Sequence, residues 1–362
     1  MSENNLSRRL ARPSKTSPSG LAVCPDGRRR LACALALGAA LCLLLVPAMC
    51  AAQARKGEQN ALYPVRQNDL WGYVDRAGKL VVKPQFDVAW DFSDGLAYVK
   101  AGARRGVIDR KGKWVFELTD LDLAGLFAEG LAPVQTTARP PRYGFVDRTG
   151  KLVIRPQFDA VRGFSEGLAV ALVGRQYGFI DKRGQWVIQP RFDKVASFAE
   201  GLALVVVNNR HGFIDTSGAF VIQPQYNNAY NFSEGLANVA VGGRYGCVDK
   251  TGALVVPLQP GYVGPFSEGL APVIVGNKFG YIDRAGRAVI TPQFDWAAGF
   301  AEGLALVKAG GKYGYIDQTG RLVIPAQYDS AHDFAHGLAK VYVAGQLGYI
   351  DPTGRYVWPP SK

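Results

Sequence analysis

One 34-residue stretch decides the fold: residues 167–200 read GLAVALVGRQYGFIDKRGQWVIQPRFDKVASFAE. Variants of this stretch follow one another from Leu62 almost to the end of the chain. Their aligned glycines are 34 residues apart, except for one step lengthened by four residues, and stand at positions 72, 106, 144, 178, 212, 246, 280, 314 and 348. Self-similarity at a fixed period marks a repeat architecture. The sequence therefore predicts nine copies of one structural unit.

Each copy reads as short strands separated by turns, because its apolar runs are brief and bounded by glycine, proline and aspartate. Asp181 and Gly184 have equivalents in all nine copies. They predict a hairpin turn in which the carboxylate accepts from backbone N–H groups and the glycine takes a positive φ. The strand before this turn carries Phe179 and Ile180, which point to opposite faces. A strand that is apolar on both faces must be covered on both sides.

Three recurring segments resemble the bacterial WG repeat, also called the KWG repeat. They are the aromatic-Gly-aromatic-Ile-Asp-x-x-Gly hairpin, the Val-Ile-x-Pro-x-Phe-Asp segment and the Phe-Ser-Glu-Gly-Leu-Ala segment. The resemblance covers about residues 61–358, although only Trp71-Gly72 has the literal Trp-Gly pair. It implies a β-strand repeat found in many bacterial and often exported proteins, and it supplies no catalytic residues.

Two all-β architectures fit the repeat. We expect nine small antiparallel sheets stacked into an open curved solenoid or superhelix, and the alternative is a β-propeller-like ring. A closed ring normally completes one blade with strands from both chain ends, whereas this array begins on the Leu62 strand and stops one segment short. Nine copies also exceed the usual four to eight blades. Both observations favour the open stack.

The first 54 residues differ from the rest and read as a signal peptide or signal anchor. A basic flank precedes Leu31–Met49, which carries no charge, and Ala52-Gln53-Ala54 offers a cleavage site. We predict export to the periplasm or cell surface. The alternative is an uncleaved inner-membrane anchor at Leu31–Met49 with the repeats outside the cytoplasm. Residues 55–61 would be a short linker, and residues 62–362 the repeat domain.

The distribution of charges and cysteines argues against nucleic-acid binding and against disulfide, metal or cofactor sites in the repeats. The leader holds seven of the 42 Lys and Arg and two of the 30 Asp and Glu, which leaves 35 against 28, a net charge of +7, for the remainder. These charges are spread through turns and give no nucleic-acid footprint. Cys247 is the one cysteine of the repeats and stands at a usually aromatic position. We expect it to be a small buried residue, and we expect no disulfide, metal or cofactor.

Copies two and six depart from the repeat and contain the candidate residues for contact with a ligand. Copy two has Phe116–Asp120 in place of the Pro-x-Phe-Asp segment, followed by an insertion at residues 138–142, and copy six has Pro257–Tyr262 there. Drift in a tolerant loop explains such changes. The alternative is a ligand-contacting edge, for which Arg139, Arg142 and Tyr262 are the candidates.

No catalytic motif stands out, so we predict a non-enzymatic exported scaffold that binds a protein or a cell-envelope glycan. Two alternatives remain: a structural spacer or adhesin-like stalk, and an enzyme that acts on polysaccharide. His332 and His336 are four residues apart, which suits a metal on a helix, but their segment is rich in turns.

Overall fold

A computed structural model describes residues 61–360, and all of their regular structure is β. The predicted leader, with its signal or anchor segment Leu31–Met49, and the linker residues 55–60 lie outside the described residues. Within residues 61–360, no helix is long and apolar enough to cross a membrane.

The strands form nine antiparallel sheets, which we number as blades 1 to 9. Blades 1 to 3 contain β1 (Tyr63–Gln67), β2 (Leu70–Val74) and β3 (Leu80–Phe86); β4 (Val88–Ala89), β5 (Leu96–Ala101), β6 (Arg104–Asp109) and β7 (Trp114–Glu117); and β8 (Leu121–Leu123), β9 (Leu131–Thr136), β10 (Tyr143–Asp147) and β11 (Leu152–Phe158). Blades 4 to 6 contain β12 (Ala160–Val161), β13 (Ala169–Val173), β14 (Gln176–Ile180) and β15 (Trp186–Phe192); β16 (Lys194–Val195), β17 (Ala203–Val207), β18 (Arg210–Ile214) and β19 (Phe220–Tyr226); and β20 (Asn228–Ala229), β21 (Leu236–Val241), β22 (Arg244–Asp249) and β23 (Leu254–Pro260). Blades 7 to 9 contain β24 (Leu270–Val275), β25 (Lys278–Asp283) and β26 (Ala288–Phe294); β27 (Trp296–Ala301), β28 (Leu304–Ala309), β29 (Lys312–Ile316) and β30 (Leu322–Tyr328); and β31 (Ser330–Ala331), β32 (Ala339–Val343), β33 (Gln346–Ile350) and β34 (Tyr356–Trp358).

Each blade is a meander in which strands adjacent in sequence are hydrogen-bonded neighbours. A blade of four strands opens with a short strand, of two residues in most copies, that pairs with the Gly-Leu-Ala strand. Blade 1 has three strands among the described residues, because β1 is its first. Blade 7 also has three, and there a single bridge from Val263 to Val273 stands in for the short strand.

The predicted hairpin turn is confirmed. In blade 4, Oδ1 of Asp181 accepts from the backbone N–H groups of Arg183 and Gln185, each at 2.9 Å. Gly184 closes the turn at φ +81°, a conformation that costs glycine little. The same carboxylate geometry recurs in every blade, so the aspartate of each copy is a turn residue.

The aligned glycine is required by a close backbone approach. A Cβ on Gly178 would lie 2.4 Å from the carbonyl oxygen of Ile188. The approach arises because β15 shifts register as it crosses β14, and such a bulge bends the strand over its partner. Any side chain at this position would force the two strands apart.

The hydrophobic core is divided into nine clusters, one at each junction between neighbouring blades. Between blades 4 and 5, for example, Phe179 and Ile188 pack against Phe198 and Ile214. Phe179 and Ile180 are both fully buried, which confirms that this strand is covered on both faces. Cys247 is likewise buried, as expected, in the cluster between blades 6 and 7.

The ninth cluster joins blade 9 to blade 1 and closes the ring. It contains Tyr63, Val65 and Val74 of blade 1 with Leu338 and Tyr349 of blade 9. The rings of Tyr63 and Tyr349 meet edge to face at 5.4 Å. The chain is therefore a nine-bladed β-propeller: our first expectation of an open solenoid was wrong, and the alternative of a ring is confirmed.

The physical reason for the error is the way in which the ring closes. Within residues 61–360 no strand is shared between the chain ends, and the two end blades instead pack face to face like every other pair. Apolar faces on both sides of each blade are sufficient for closure, because burying a large apolar side chain contributes about 1.5–3 kcal/mol. We call this junction of blades 9 and 1 the seam.

Carboxylates link seven successive blade junctions. The acidic residue before each Gly-Leu-Ala strand accepts from the glycine N–H of the next blade, as Glu200 does from Gly235 at 2.9 Å. The other six bonds run from Gly130 to Asp94, Gly167 to Glu129, Gly201 to Glu166, Gly269 to Glu234, Gly303 to Glu268 and Gly337 to Glu302. Glu200 is held at φ +56°, a region that is unfavourable for a non-glycine residue. The bond to the neighbouring blade offsets that strain.

Candidate functional site

A cavity of about 340 Å³ opens at the seam. Its walls come from four blades, because Lys340 and Tyr342 lie on β32 of blade 9, Trp71 on β2 of blade 1, Trp90 beside β4 of blade 2, and Leu126 before β9 of blade 3. The remaining lining residues are Pro64, Ala89, Asp91, Gly125, Leu347 and Tyr349. We call it the seam cavity.

The seam cavity adjoins the outer edge of β1, beside which no short strand lies among residues 61–360. In blade 2, the N–H of Trp90 donates to the carbonyl of Tyr98 at 2.9 Å and holds β4 against β5. The equivalent carbonyl of blade 1 belongs to Pro64, and the hydroxyl of Tyr349 donates to it at 2.9 Å. A tyrosine side chain of blade 9 thus occupies the hydrogen bond that a fourth strand makes elsewhere.

Several of the lining side chains differ from their counterparts in the other copies. Trp90 aligns with Gly125, Arg162, Ala196, Tyr230, Gly264, Ala298 and His332. Lys340 and Tyr342 are the only lysine and tyrosine at their repeat positions, as Trp71 is the only tryptophan and Leu126 the only leucine. Within residues 61–360, this combination of side chains therefore occurs at this junction alone.

One ion pair crosses the cavity. Nζ of Lys340 donates to both carboxylate oxygens of Asp91, at 2.8 and 3.0 Å. The Lys340 side chain is 28% exposed and that of Asp91 55%, so both groups remain accessible to a ligand. The pair also bridges blades 9 and 2 across blade 1.

Three aromatic rings give the cavity apolar walls with polar edges. Trp71, Trp90 and Tyr342 are all half-buried, and Trp90 packs on Tyr98 at 4.7 Å between ring centroids. Burial and a hydrogen bond to Asp122 raise the pKa of Tyr98 to about 12. Burial, reinforced by the charge of Asp91, also raises the pKa of Tyr349. Both phenols therefore stay neutral hydrogen-bond donors.

The three ligand contacts predicted from the sequence lie outside the seam cavity. Arg139 is exposed in the loop between β9 and β10. Arg142, at the end of the same loop, contacts the carboxylate of Asp159. That ion pair recurs between Lys278 and Asp295 and between Lys312 and Asp329, so Arg142 fills a position common to several copies.

Tyr262 is not near these two arginines in the ring, because blades 4 to 6 separate blade 3 from the start of blade 7. It is half-buried between Tyr230 and Tyr245, at 6.2 and 6.0 Å between ring centroids. Burial raises its pKa to about 12. The three residues do not form one site, and a role for any of them in binding stays a prediction.

A second, more open depression of about 530 Å³ lies between blades 2 and 3 and is lined by Asp94, Gly95, Asp109, Arg110, Lys111 and Arg148. Its residues belong mainly to the repeated turns. Arg148 donates to the carbonyl of Asp94 at 2.6 Å, and Lys182 and Lys250 make the equivalent contact at other junctions. We therefore regard the depression as part of the blade junction.

Fold and seam together define the class: a β-propeller of nine blades built from one repeated unit. Eight consecutive stretches match the family model described as WG containing repeat, namely residues 71–103, 106–137, 143–175, 177–210, 212–245, 245–279, 279–313 and 313–345. The chain belongs to this family, as its repeated segments indicate. A comparison with curated proteins gives no match.

Several solved structures resemble this chain at low sequence identity, one of them with a TM-score above 0.5. The crystal structure of a eukaryotic initiation factor superposes with a TM-score of 0.58 at 13% identity, covering 82% of this chain and 94% of that one. Hsv2p of Kluyveromyces lactis gives 0.38 at 13%, covering 62% and 89%. PorZ, a surface component of the type-IX secretion system of Porphyromonas gingivalis, gives 0.32 at 11%, covering 80% and 44%. At 13% identity, the likeness to the initiation factor concerns the fold alone.

Proposed function

We propose that this WG-repeat propeller is a non-enzymatic exported scaffold that binds another protein or a cell-envelope glycan through the seam cavity. The observation that carries the proposal is the convergence there of copy-specific side chains from four blades. Repetition alone would place the same residues at every junction. Side chains that differ from the repeat and meet in one concave place are what a binding site requires.

The use of the carboxylates supports a binding role over catalysis. Nine aspartates close hairpin turns, and seven further acidic residues hold blade junctions, as described above. In the seam cavity the one lining carboxylate, Asp91, is paired with Lys340. Polysaccharide hydrolysis ordinarily needs two carboxyl groups flanking the scissile bond, and the lining offers one.

Export rests on the sequence of the leader, whose basic flank, apolar run and Ala-x-Ala site precede the repeats. Amino-terminal sequencing of the protein recovered from the cell envelope tests it. A mature chain that begins at Arg55 supports a cleaved signal, and a chain that retains Leu31–Met49 supports the anchor. Recovery of the protein in the cytoplasm alone would contradict export.

Binding is tested by retention from a cell-envelope extract on the immobilised full-length chain. The matched control is the double variant Trp90→Ala, Lys340→Met, which alters the seam cavity and leaves the repeated turns intact. We expect the unaltered chain to retain a protein or a glycan that the variant does not. Equal retention by both, or none by either, would contradict a binding role of the cavity and favour the spacer interpretation.

A further inference from the structure

We propose that the seam cavity binds one or two neutral sugar rings of a glycan. This inference rests on the proposed function and narrows it to one class of ligand. It combines the aromatic walls of the cavity, the ion pair between Asp91 and Lys340, the size of the cavity and the state of the adjacent strand edge.

The aromatic walls fit the apolar faces of a pyranose. Trp71, Trp90 and Tyr342 surround the cavity while remaining half-exposed. Rings of this kind combine a broad apolar face with a polar edge. A pyranose has the complementary form, because its C–H groups gather on its faces and its hydroxyls around its rim.

The ion pair favours a neutral ligand rich in hydroxyl groups. An ionised carboxylate only accepts hydrogen bonds and an ammonium only donates them. A sugar hydroxyl does both, so vicinal hydroxyls can donate to Asp91 and accept from Lys340 while the two charges stay together. An anionic or cationic ligand would compete with one partner for the other, whereas a neutral sugar leaves the pair intact.

Cavity size and the strand edge disfavour a peptide. A volume of about 340 Å³ is at the lower end for small-molecule sites, and it suits a short saccharide. A peptide strand added to blade 1 would need free ladder groups on β1. The carbonyl of Pro64, at the centre of β1, already accepts from Tyr349, so an added peptide strand would have to displace that bond.

The test is titration of the full-length chain with the neutral trisaccharides triacetylchitotriose, cellotriose, maltotriose and laminaritriose. Binding is measured by calorimetry and by tryptophan fluorescence. Trigalacturonate is the anionic comparison. We expect at least one neutral trisaccharide to bind and trigalacturonate to bind about tenfold or more weakly. Asp91→Asn and Trp90→Ala should each weaken binding of the neutral sugar about tenfold or more.

Two further variants keep the outcome interpretable if Trp90→Ala does not fold. Leu126 is 47% exposed, so Leu126→Arg should fold and obstruct the cavity. Trp296, 40% exposed in blade 8 and outside the cavity, provides the control, and Trp296→Ala should change the affinity less than about twofold.

Three results would overturn the inference: no binding of any neutral trisaccharide up to about 10 mM, binding that Leu126→Arg and Asp91→Asn leave unchanged, or a preference for trigalacturonate. If no sugar binds but a protein is still retained from the envelope extract in a cavity-dependent way, the sugar inference fails and the proposed function stands. If neither is bound, both fail.

Discussion

The hydroxyl of Tyr349 donates a 2.9 Å hydrogen bond to the carbonyl oxygen of Pro64, which lies 285 positions earlier in the chain. Tyr73, Tyr281 and Tyr315 make similar bonds to the blade that follows each of them. At the seam the acceptor belongs to β1 instead of a short first strand. One bond of a repeated pattern thus helps to close the ring between the first and the last blade.

Removal of this hydroxyl should weaken the seam. Tyr349→Phe leaves the buried carbonyl of Pro64 without its partner, which should cost about 1–3 kcal/mol. We expect faster amide exchange in β1 and β34, measured by mass spectrometry. Tyr281→Phe is the matched control, since it removes a 2.7 Å bond between blades 7 and 8. Exchange at the seam that Tyr349→Phe leaves unaltered would show that this bond does not hold the ring closed.

The junction carboxylates should contribute to stability one blade at a time. Glu200→Gln keeps the size of the side chain and an acceptor for Gly235 but removes the charge that faces Lys250 at 3.2 Å and strengthens the bond from Gly235. We expect a loss of about 1 kcal/mol in the free energy of unfolding, measured by chemical denaturation. Glu166, whose carboxylate accepts from Gly201, provides a second junction for the same substitution. Unchanged stability in both variants would contradict a contribution of the carboxylate charges to the blade junctions.

The aligned glycine should tolerate no side chain. Gly178→Ala places a Cβ 2.4 Å from the carbonyl oxygen of Ile188, and the forced shift should cost about 1–3 kcal/mol. Gly163→Ala is the control, because its Cβ would meet no atom closer than 3.7 Å and its cost should stay within about 0.5 kcal/mol. Equal melting temperatures for the two variants would contradict the close approach of β14 and β15.

Acid should destabilise the ring. The Thr319 hydroxyl lowers the pKa of Asp317 in its turn. Burial alone would raise the pKa of Glu200, but the Gly235 amide and the Lys250 ammonium outweigh it and lower the pKa below its ordinary value of 4.5. A carboxyl group whose pKa is lower in the folded than in the unfolded protein stabilises the fold at pH values above its unfolded pKa. That stabilisation is lost as the pH falls through its folded pKa.

We therefore expect a melting temperature that changes little between about pH 6 and 8 and falls steadily below about pH 4.5. Circular dichroism during heating measures it. Several carboxylates of the same kind should act together, since Asp147, Asp215, Asp249, Asp283 and Asp351 also have lowered pKa values. A melting temperature that rises on acidification would contradict this account.

The structure of one repeat could be predicted from the sequence, whereas the arrangement of the nine blades in a closed ring could not. The turn at Asp181 and Gly184 and the doubly buried strand with Phe179 and Ile180 follow from local chemistry and periodicity. Ring closure does not, because it depends on how the faces of Tyr63 and Tyr349 meet after nine small rotations accumulate, and a period of 34 residues does not encode that angle.

The cavity was missed for a different reason. Departures from the repeat are most conspicuous in the altered loops, which contain Arg139, Arg142 and Tyr262. The signal was present in single substitutions at otherwise regular strand positions, such as Trp90 and Lys340. These are 250 positions apart in sequence, and only a closed ring brings them to one place.

Zero-length cross-linking with a carbodiimide tests ring closure and the seam cavity most directly. The reagent joins a carboxylate and an amine that are already in contact, and Lys340 and Asp91 are 2.8 Å apart across 249 positions. The account predicts that monomeric full-length chain yields a peptide pair linked through these two residues, and that Lys340→Arg abolishes it. An open stack would hold blades 9 and 2 far apart, so the absence of this cross-link in monomeric protein whose other close Lys–carboxylate pairs do react would contradict the closed ring.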